Sequence, residues 1–200
     1  YLMDIDGKNR RKVADHSREA CWGPDGKTIA YTPQLYPKFN ATDGYSVDMV
    51  YFHPQSGQSE PHPNSAALHQ TYNPSFAPNG KWIATTVHAG MNIGHALILI
   101  EAQGKRIVKL DIPGCRPCLS PDGKEIAWGP SDHELAVAPL DLDSDTPKVG
   151  AWRLHIKDDK NKVYHIDWSP DGKFLAFSRG PEGRGDPDKP GTYTDRKSLV

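Results

Sequence analysis

A twelve-residue segment recurs four times along this chain, and its spacing constrains the fold more than any other feature. The copies span 21–32, 75–86, 118–129 and 167–178, and they read CWGPDGKTIAYT, SFAPNGKWIATT, CLSPDGKEIAWG and DWSPDGKFLAFS. The prolines of the four copies are 54, 43 and 49 residues apart. Spacings of this size match one four-stranded blade of a β-propeller per copy, and they exceed the period of the shorter helical and leucine-rich repeats.

Each copy carries the residues of a tight turn between two strands. Pro-Asp-Gly or Pro-Asn-Gly forms the turn, because proline suits its first central position and glycine adopts the positive φ that the turn requires. The large apolar residue two positions before each proline is placed to pack between neighbouring sheets; these residues are Trp22, Phe76, Leu119 and Trp168. The chain has 18 glycines and 18 prolines among short apolar runs, so we expect many brief strands and almost no helix.

The four segments, together with the opening hairpin YLMDIDGKNRRKV, resemble the WD40-like (PD40) repeat of TolB-type β-propellers. The resemblance covers nearly the whole chain and implies an all-β fold of four-stranded antiparallel blades. It is unspecific for activity, because the family includes periplasmic scaffolds, propeller domains of serine peptidases and oligogalacturonate lyases. The same resemblance implies a bacterial protein of the periplasm or the cell exterior.

We expect one propeller domain across residues 1–200, with four blades visible. The predicted boundaries are the end of a blade at 1–14, blades at 15–64, 65–111 and 112–158, and the start of a blade at 159–200. Two arrangements fit these ends: the first hairpin completes the last blade in a closed four-bladed ring, or the chain is part of a larger propeller of six to eight blades. We favour the larger propeller, because the chain stops near the point in the blade where it starts.

Composition argues against two classes of function. The 24 basic and 25 acidic residues nearly balance, so the chain lacks the positive field that non-specific nucleic-acid binding requires. The longest apolar run, 96–100, has the length of a strand, whereas a bilayer span requires about 18 residues or more. We therefore expect no nucleic-acid partner and no membrane span in this segment.

Polar residues recur at one position of the predicted inner strands, which line the central channel of a propeller. Counting back five residues from each repeat proline gives a channel ring of four residues: Glu19, Asn73, Arg116 and His165. A carboxylate, an amide, a guanidinium and an imidazole at a channel mouth suit a small polar ligand or the carboxylate of a partner protein. The alternative is that these side chains are solvated or bond backbone groups in the channel.

Histidines gather on one predicted face of the propeller. His16 and His69 lie in loops that enter inner strands, while His88 and His95 flank a loop between second and third strands. Neutral imidazoles on converging loops can bind ions such as zinc, but no compact ligand motif of the HExxH type occurs here. We therefore treat these histidines as possible ligand contacts and predict no metal site and no cofactor.

Two long loops are expected on the same face, because both follow a second strand. They span 33–45 and 180–194. Loops of this length often carry function. The first contains aromatic residues that can anchor protein or sugar ligands; these are Tyr36, Phe39 and Tyr45.

The cysteines are predicted to be structural. Cys115 and Cys118 form a CxxC pair, but in a strand residues three apart project to opposite faces and lie ~10 Å apart, too far for a disulfide. Cys21 holds the same repeat position as Cys118, and an odd total of three disfavours a disulfide framework.

These observations favour a non-catalytic module that binds a protein, a small polar ligand or a carbohydrate on the loop-bearing face. No nucleophile motif of the GxSxG type and no phosphate-binding GxxxxGK segment occurs. The alternative is a metal-dependent polysaccharide lyase of the oligogalacturonate type, or the propeller domain of a larger enzyme. For a lyase, His165 as the base and Arg116 as the stabilising cation are the only candidates at the channel.

Overall fold

The computed structural model describes residues 1–34 and 48–180, which form antiparallel β-sheets. The helical content of these two ranges is a single 3-10 turn, Ser65–Ala67. The expected all-β fold with almost no helix is therefore confirmed. No helix in the same ranges is long and apolar enough to cross a membrane.

The first two sheets each have four strands that pair in chain order. The first sheet contains β1 (Ser17–Trp22), β2 (Ile29–Pro33), β3 (Val50–His53) and β4 (Gln58–Pro61). The second contains β5 (Thr71–Phe76), β6 (Trp82–Gly90), β7 (Gly94–Glu101) and β8 (Ile107–Lys109). Each sheet therefore has the strand number and order of one blade.

The third and fourth sheets vary this plan. The third contains β9 (Cys115–Leu119), β10 (Glu125–Gly129), β11 (Glu134–Asp141), β12 (Lys148–Val149) and β13 (Leu154–Lys157). Both β12 and β13 pair with β11, so the outer edge of this sheet is shared by two short strands. The described part of the fourth sheet contains β14 (Lys162–Trp168) and β15 (Leu175–Gly180). At the start of the chain, Leu2 and Arg11 form an isolated antiparallel bridge around a turn.

The repeated Pro-Asp-Gly and Pro-Asn-Gly segments form the same turn in all four sheets. Their glycines, Gly26, Gly80, Gly123 and Gly172, have φ between 63° and 73°. Each of these glycine amides donates a hydrogen bond to the carbonyl three residues earlier, at 2.8–3.0 Å. The positive φ expected at these positions is therefore present, and it explains why glycine stands there.

Alternating side chains along the strands pack the sheets face to face. In β7, Ile98 and Ile100 join the core between the first and second sheets, while Leu97 and Leu99 join the core between the second and third. In β11, Leu135 joins a third core, which also contains residues of the fourth sheet. Because side chains alternate along a strand, the two central sheets bury both of their faces. Sheets stacked in chain order in this way are arranged as propeller blades.

The apolar residues before the repeat prolines pack on the preceding sheet in three of the four copies. Phe76 and Leu119 join the first and second inter-sheet cores, and Trp168 packs in the third, where its indole Nε1 donates to the carbonyl of Cys118 at 3.2 Å. Trp22 differs, since its side chain is 52 % exposed and borders a cavity shared with residues of the 1–14 segment.

Candidate functional site

A left-handed backbone residue interrupts the inner strand of every sheet, at the four positions predicted as the channel ring. The φ values are 53° at Glu19, 53° at Asn73, 58° at Arg116 and 53° at His165. At each point the pairing with the second strand slips by one residue, which is a β-bulge. A left-handed non-glycine residue costs about 1–2 kcal/mol, so four equivalent instances indicate a feature built into the blade.

Hydroxyl groups of the second strand support the bulge in three of the four sheets. The Oγ1 atom of Thr32 donates to the carbonyl of Arg18 at 3.0 Å, and the Oγ atom of Ser178 donates to the carbonyl of Tyr164 at 3.0 Å. In the second sheet, Thr85 Oγ1 donates to the carbonyl of Tyr72 at 2.8 Å. These bonds satisfy carbonyls next to the bulge, where the strand pairing is interrupted.

Side chains of the preceding sheet satisfy the amide at two of the bulges. The carboxylate of Glu19 accepts a hydrogen bond from the backbone N–H of Asn73. The hydroxyl of Thr86 accepts one from the backbone N–H of Arg116 at 2.8 Å. Glu19 and Asn73 are therefore brought together through a backbone group of Asn73.

Arg116 is the centre of a polar cluster between the third and fourth sheets. Its guanidinium carbon lies 4.1 Å from the centre of the Tyr164 ring, a cation–π distance. Its Nη1 atom donates to the Sγ atom of Cys115 at 3.1 Å and lies 3.7 Å from Oδ1 of Asp132. The other carboxylate oxygen of Asp132 accepts from Nζ of Lys162 at 2.9 Å. We call these four residues, Arg116, Asp132, Lys162 and Tyr164, the Arg116 cluster.

The charges of this cluster are stable near neutral pH. Burial raises the pKa of Asp132, but the hydrogen bonds from Lys162 and Tyr164 and the positive charges nearby outweigh burial, so its pKa lies below the ordinary value. Burial also raises the pKa of the adjacent Cys115 thiol, which stays protonated. The cluster therefore contains two cations and one anion.

The second sheet brings two histidines to the edge of this cluster. The rings of His88 and His95 meet edge to face with their centres 5.1 Å apart. The hydroxyl of Tyr72 and Nε2 of His95 lie 3.4 Å apart. Partial burial of the His95 ring lowers its pKa, and the nearby His88 and Arg116 lower it further, which favours the neutral imidazole. His95 therefore lies within electrostatic reach of Arg116, and His88 lies next to His95.

The cluster lies where the topology places the loop-bearing face. This face comprises the beginnings of the inner strands β1, β5, β9 and β14, together with the turns that follow β6 and β10. The four Pro-Asp-Gly or Pro-Asn-Gly turns lie at the other end of the inner strands. Asp132 belongs to the turn after β10, and a backbone hydrogen bond from Val163 to its carbonyl at 2.8 Å ties that turn to the fourth sheet.

Other predicted site residues are not brought into contact with the cluster. His16, His69 and His165 are exposed, and His165 is placed next to Tyr164 by the chain alone. Tyr36, Phe39 and Tyr45 lie outside the described residues. Within 1–34 and 48–180, no group of three or more His, Cys, Asp or Glu side chains is arranged to hold a metal ion.

The cysteines are free thiols with separate surroundings. Cys118 Sγ lies 3.6 Å from Oδ1 of Asp167, to which it donates a weak bond, whereas Cys115 contacts Arg116. Burial raises the pKa of Cys21 and of Cys118 to about 12, so both stay protonated and unreactive. This agrees with the structural role expected from the sequence.

Four residues of the candidate site were not singled out by sequence reasoning: Tyr72, Asp132, Lys162 and Tyr164. One signal was available, because Tyr72 and Tyr164 each directly precede a ring residue. Asp132 and Lys162 carry no such signal, since Asp132 reaches Arg116 from a turn and Lys162 reaches Asp132 from a different sheet. The packing of the third sheet against the fourth brings Asp132, Lys162 and Tyr164 together.

Comparison with known proteins supports the fold. No family model and no curated protein sequence matches this chain. Among solved structures, the crystal structure of TolB from Acinetobacter baumannii aligns with a TM-score of 0.61 at 19% identity, covering 92% of this chain and 43% of TolB. Kuenenia stuttgartiensis hydrazine synthase aligns with a TM-score of 0.50 at 12% identity, covering 89% of this chain and 59% of that chain.

The chain thus has a β-propeller fold and spans about half the length of the structures that it matches. At these identities the likeness concerns the fold alone.

Proposed function

We propose that this chain is a non-catalytic binding module, built from WD40-like repeats of the TolB type, that recognises a protein or a small polar ligand on its loop-bearing face. The Arg116 cluster is the observation that carries the proposal. It places a half-buried guanidinium near the start of the inner strand β9, with its carbon 4.1 Å from the centre of the Tyr164 ring. Rigidly held polar groups of this kind are typical of binding sites.

The repeated bulges support this proposal. In a regular strand the side chains at the four ring positions would point alternately to the two faces of the sheet. The bulge changes the direction of one polar side chain in every inner strand. Each bulge carries a strain of about 1–2 kcal/mol and places a polar residue at the start of an inner strand; these residues are Glu19, Asn73, Arg116 and His165.

The ligand class and location follow from the resemblance and the charge balance. A protein segment is the leading ligand, and a carbohydrate is the second, because the loop 33–45 contains three aromatic residues. A nucleic acid is disfavoured, because 24 basic residues stand against 25 acidic ones. The resemblance to TolB-type propellers favours the periplasm or the cell exterior.

Photo-crosslinking on the two faces tests the proposal. A benzophenone side chain is introduced at exposed positions of the loop-bearing face, His69 and His165, and at exposed positions of the opposite turns, Asn79 and Lys124. We expect discrete adducts from the first pair in extracts of the producing cells, and none from the second. Equal adducts from both pairs, or none from the loop-bearing face, would refute a binding role for this face.

Among the described residues, no contact joins the two side chains that a lyase would require as base and cation. His165 is exposed, and Arg116 is engaged with Tyr164 and Cys115, so the proposed base and cation do not form a pair in the structure. Incubation with zinc or manganese, followed by desalting and elemental analysis, tests this alternative. Stoichiometric metal together with cleavage of oligogalacturonate would replace the binding proposal.

A further inference from the structure

The guanidinium of Arg116 lacks a strong hydrogen-bonding partner among its described contacts. These contacts are a thiol sulfur, the face of a phenol ring and a carboxylate oxygen at 3.7 Å. The last distance exceeds that of a hydrogen bond, which is about 2.7–2.9 Å for a charged pair. A guanidinium has five N–H donors in a planar fork, so Arg116 retains the capacity to bind a carboxylate through two parallel bonds.

The surroundings hold the fork in place and leave it accessible. The contact with the Tyr164 ring, 4.1 Å from the guanidinium carbon to the ring centre, restricts the position of the guanidinium, and 27% of the Arg116 side chain is exposed. Asp132 cannot neutralise the site, because it is shared with Lys162 at 2.9 Å. The cluster thus carries an excess of one positive charge in a partly desolvated position, where an anion binds more strongly than at an open surface.

The geometry points to the Arg116 cluster as the anchor for a carboxylate of an acidic peptide segment, an inference that rests on the proposed binding function and names the chemistry of its partner. A peptide fits better than a free acid because the exposed residues His95 and His165 also lie on the loop-bearing face. A segment several residues long would contact these exposed side chains while one carboxylate docks on Arg116. The remaining contacts then add affinity that a single carboxylate lacks.

Binding of a defined acidic probe tests the inference. The probe is acetylated and amidated hexaglutamate, with hexaglutamine as the neutral peptide and glutarate as the free acid. Binding to the wild-type chain is measured by NMR titration, following the side-chain Nε–H of arginines, and by isothermal calorimetry at low salt. We expect hexaglutamate to shift the Arg116 signal and to bind more tightly than either control.

Three variants locate the site. Arg116→Gln is expected to weaken hexaglutamate binding by roughly tenfold or more, because hydrogen bonds to a charged group are lost. Arg116→Lys keeps the positive charge but lacks the planar fork of donors, so its affinity for hexaglutamate should lie between those of the wild type and Arg116→Gln. Arg153→Gln is the matched control, since Arg153 is an exposed arginine paired with Glu125 at 2.5 Å, outside the cluster. Circular dichroism checks that each variant is folded.

The outcomes separate this inference from the proposed function. Absent binding of hexaglutamate to the wild-type chain, or equal losses in Arg116→Gln and Arg153→Gln, would overturn the carboxylate anchor. Equal affinities for glutarate and hexaglutamate would assign the site to a small acid and overturn the peptide. If the crosslinks from the loop-bearing face persist in Arg116→Gln, the proposed binding function stands, and the role of Arg116 as the carboxylate anchor is refuted.

Discussion

The backbone of Asn73 shows how much a single residue contributes to the shape of the candidate site. Its φ of 53° is tolerated by asparagine and glycine but is strained for a β-branched side chain. The same φ recurs in the three other inner strands, so the conformation belongs to the blade and not to one side chain. The residue at this position is therefore chosen under a conformational constraint as well as a chemical one.

Substitutions at Asn73 test this constraint. Asn73→Val is expected to lower the free energy of unfolding by about 1–2 kcal/mol, whereas Asn73→Gly stays within about 0.5 kcal/mol of the wild type. Gln58→Val is the control, because Gln58 is exposed in the regular strand β4. Urea denaturation measures all three variants. The left-handed strain is refuted if valine at position 73 costs no more than valine at position 58.

His62 is a buried histidine whose hydrogen bonds determine its tautomer. It is 1% exposed, its Nδ1 accepts from the backbone N–H of Asn64 at 2.9 Å, and its Nε2 therefore donates to the carbonyl of Glu101 at 3.1 Å. A second proton on Nδ1 would break the bond from Asn64. Burial lowers the pKa of His62 below 6.5, despite the opposing effect of the Glu101 carbonyl.

This lowered pKa predicts a loss of stability in mild acid. Between the folded and unfolded pKa values the unfolded chain binds more protons, so the free energy of unfolding falls as the pH drops below about 6.5, and the loss levels off below the folded pKa. His62→Gln should reduce the slope measured by urea denaturation from pH 7 to pH 5. His69→Gln, at an exposed histidine, should keep it. An unchanged slope in His62→Gln would contradict the prediction.

At the scale of the element, the four repeat turns share one side-chain hydrogen bond. In each turn, the Oδ1 atom of the Asp or Asn accepts from the backbone N–H of the lysine two residues later, at 2.9–3.1 Å. The residues that accept are Asp25, Asn79, Asp122 and Asp171. The bond satisfies a backbone donor in the turn and explains why this position holds either aspartate or asparagine, since both have an Oδ1 acceptor.

The third-sheet turn offers a test of this bond. Asp122 also accepts from Ser120 Oγ at 2.7 Å, and the bonds from Ser120 and Lys124 lower its pKa. Asp122→Ala should lower the free energy of unfolding by about 1 kcal/mol at pH 7, while Asp122→Asn keeps most of it, as Asn79 does naturally.

The pH dependence of this difference follows from the sign of the shift. A lowered folded pKa means that the contribution is present above the ordinary 3.8 and is lost as the pH falls through the folded value. The difference in the free energy of unfolding between the wild type and Asp122→Ala should therefore become smaller in acid. Thermal denaturation from pH 6 to pH 2.5 measures it, with Asp143→Ala, an exposed aspartate outside these turns, as the control. A gap independent of pH would refute the assignment.

The strands and turns could be predicted because their signals are local. Pro-Asp-Gly and the alternation of apolar residues act over two to five neighbours, and the structure places β2, β6, β10 and β15 directly after these turns. The bulges could not be predicted in the same way. A bulge frees an amide, and at Asn73 and Arg116 that amide is satisfied by a side chain from another sheet.

The candidate site shows the same limit. Arg116 was identified from its repeat position, but Asp132 and Tyr164 reach it from a turn of its own sheet and from the fourth sheet. Sequence spacing carries no information about such contacts until the sheets are packed. The spacing of the repeats therefore identifies the ring positions, but it does not identify the residues of other segments that contact them.

For the whole molecule, the distribution of buried side chains predicts unequal local stability. The second and third sheets each bury both faces, and their shared core contains Trp82, Leu97, Leu99 and Trp128 with no exposed surface. The described part of the fourth sheet, which ends at residue 180, meets the third through a smaller core, and Phe174 in its turn is 70% exposed. Regions with fewer buried apolar contacts open at a lower free energy.

Native-state hydrogen exchange measures this gradient. We expect the amides of β6, β7, β10 and β11 to exchange last, through global unfolding, and those of β14 and β15 to exchange earlier through local opening. Leu99→Ala, in the central core, should lower the free energy of global unfolding by about 2–5 kcal/mol and accelerate the slowest amides of both central sheets.

Phe177→Ala is the matched large-to-small change in the outer core, where Phe177 packs against the third sheet. Because Phe177 belongs to β15 and its core is separate from the core that contains Leu99, we expect it to accelerate exchange in β14 and β15 and to leave the slowest amides of β6 and β7 almost unchanged. The two variants together decide whether the sheets open separately. Equal protection of β15 and β7 in the wild type, or equal acceleration of both by Phe177→Ala, would show that all four sheets unfold as one cooperative unit.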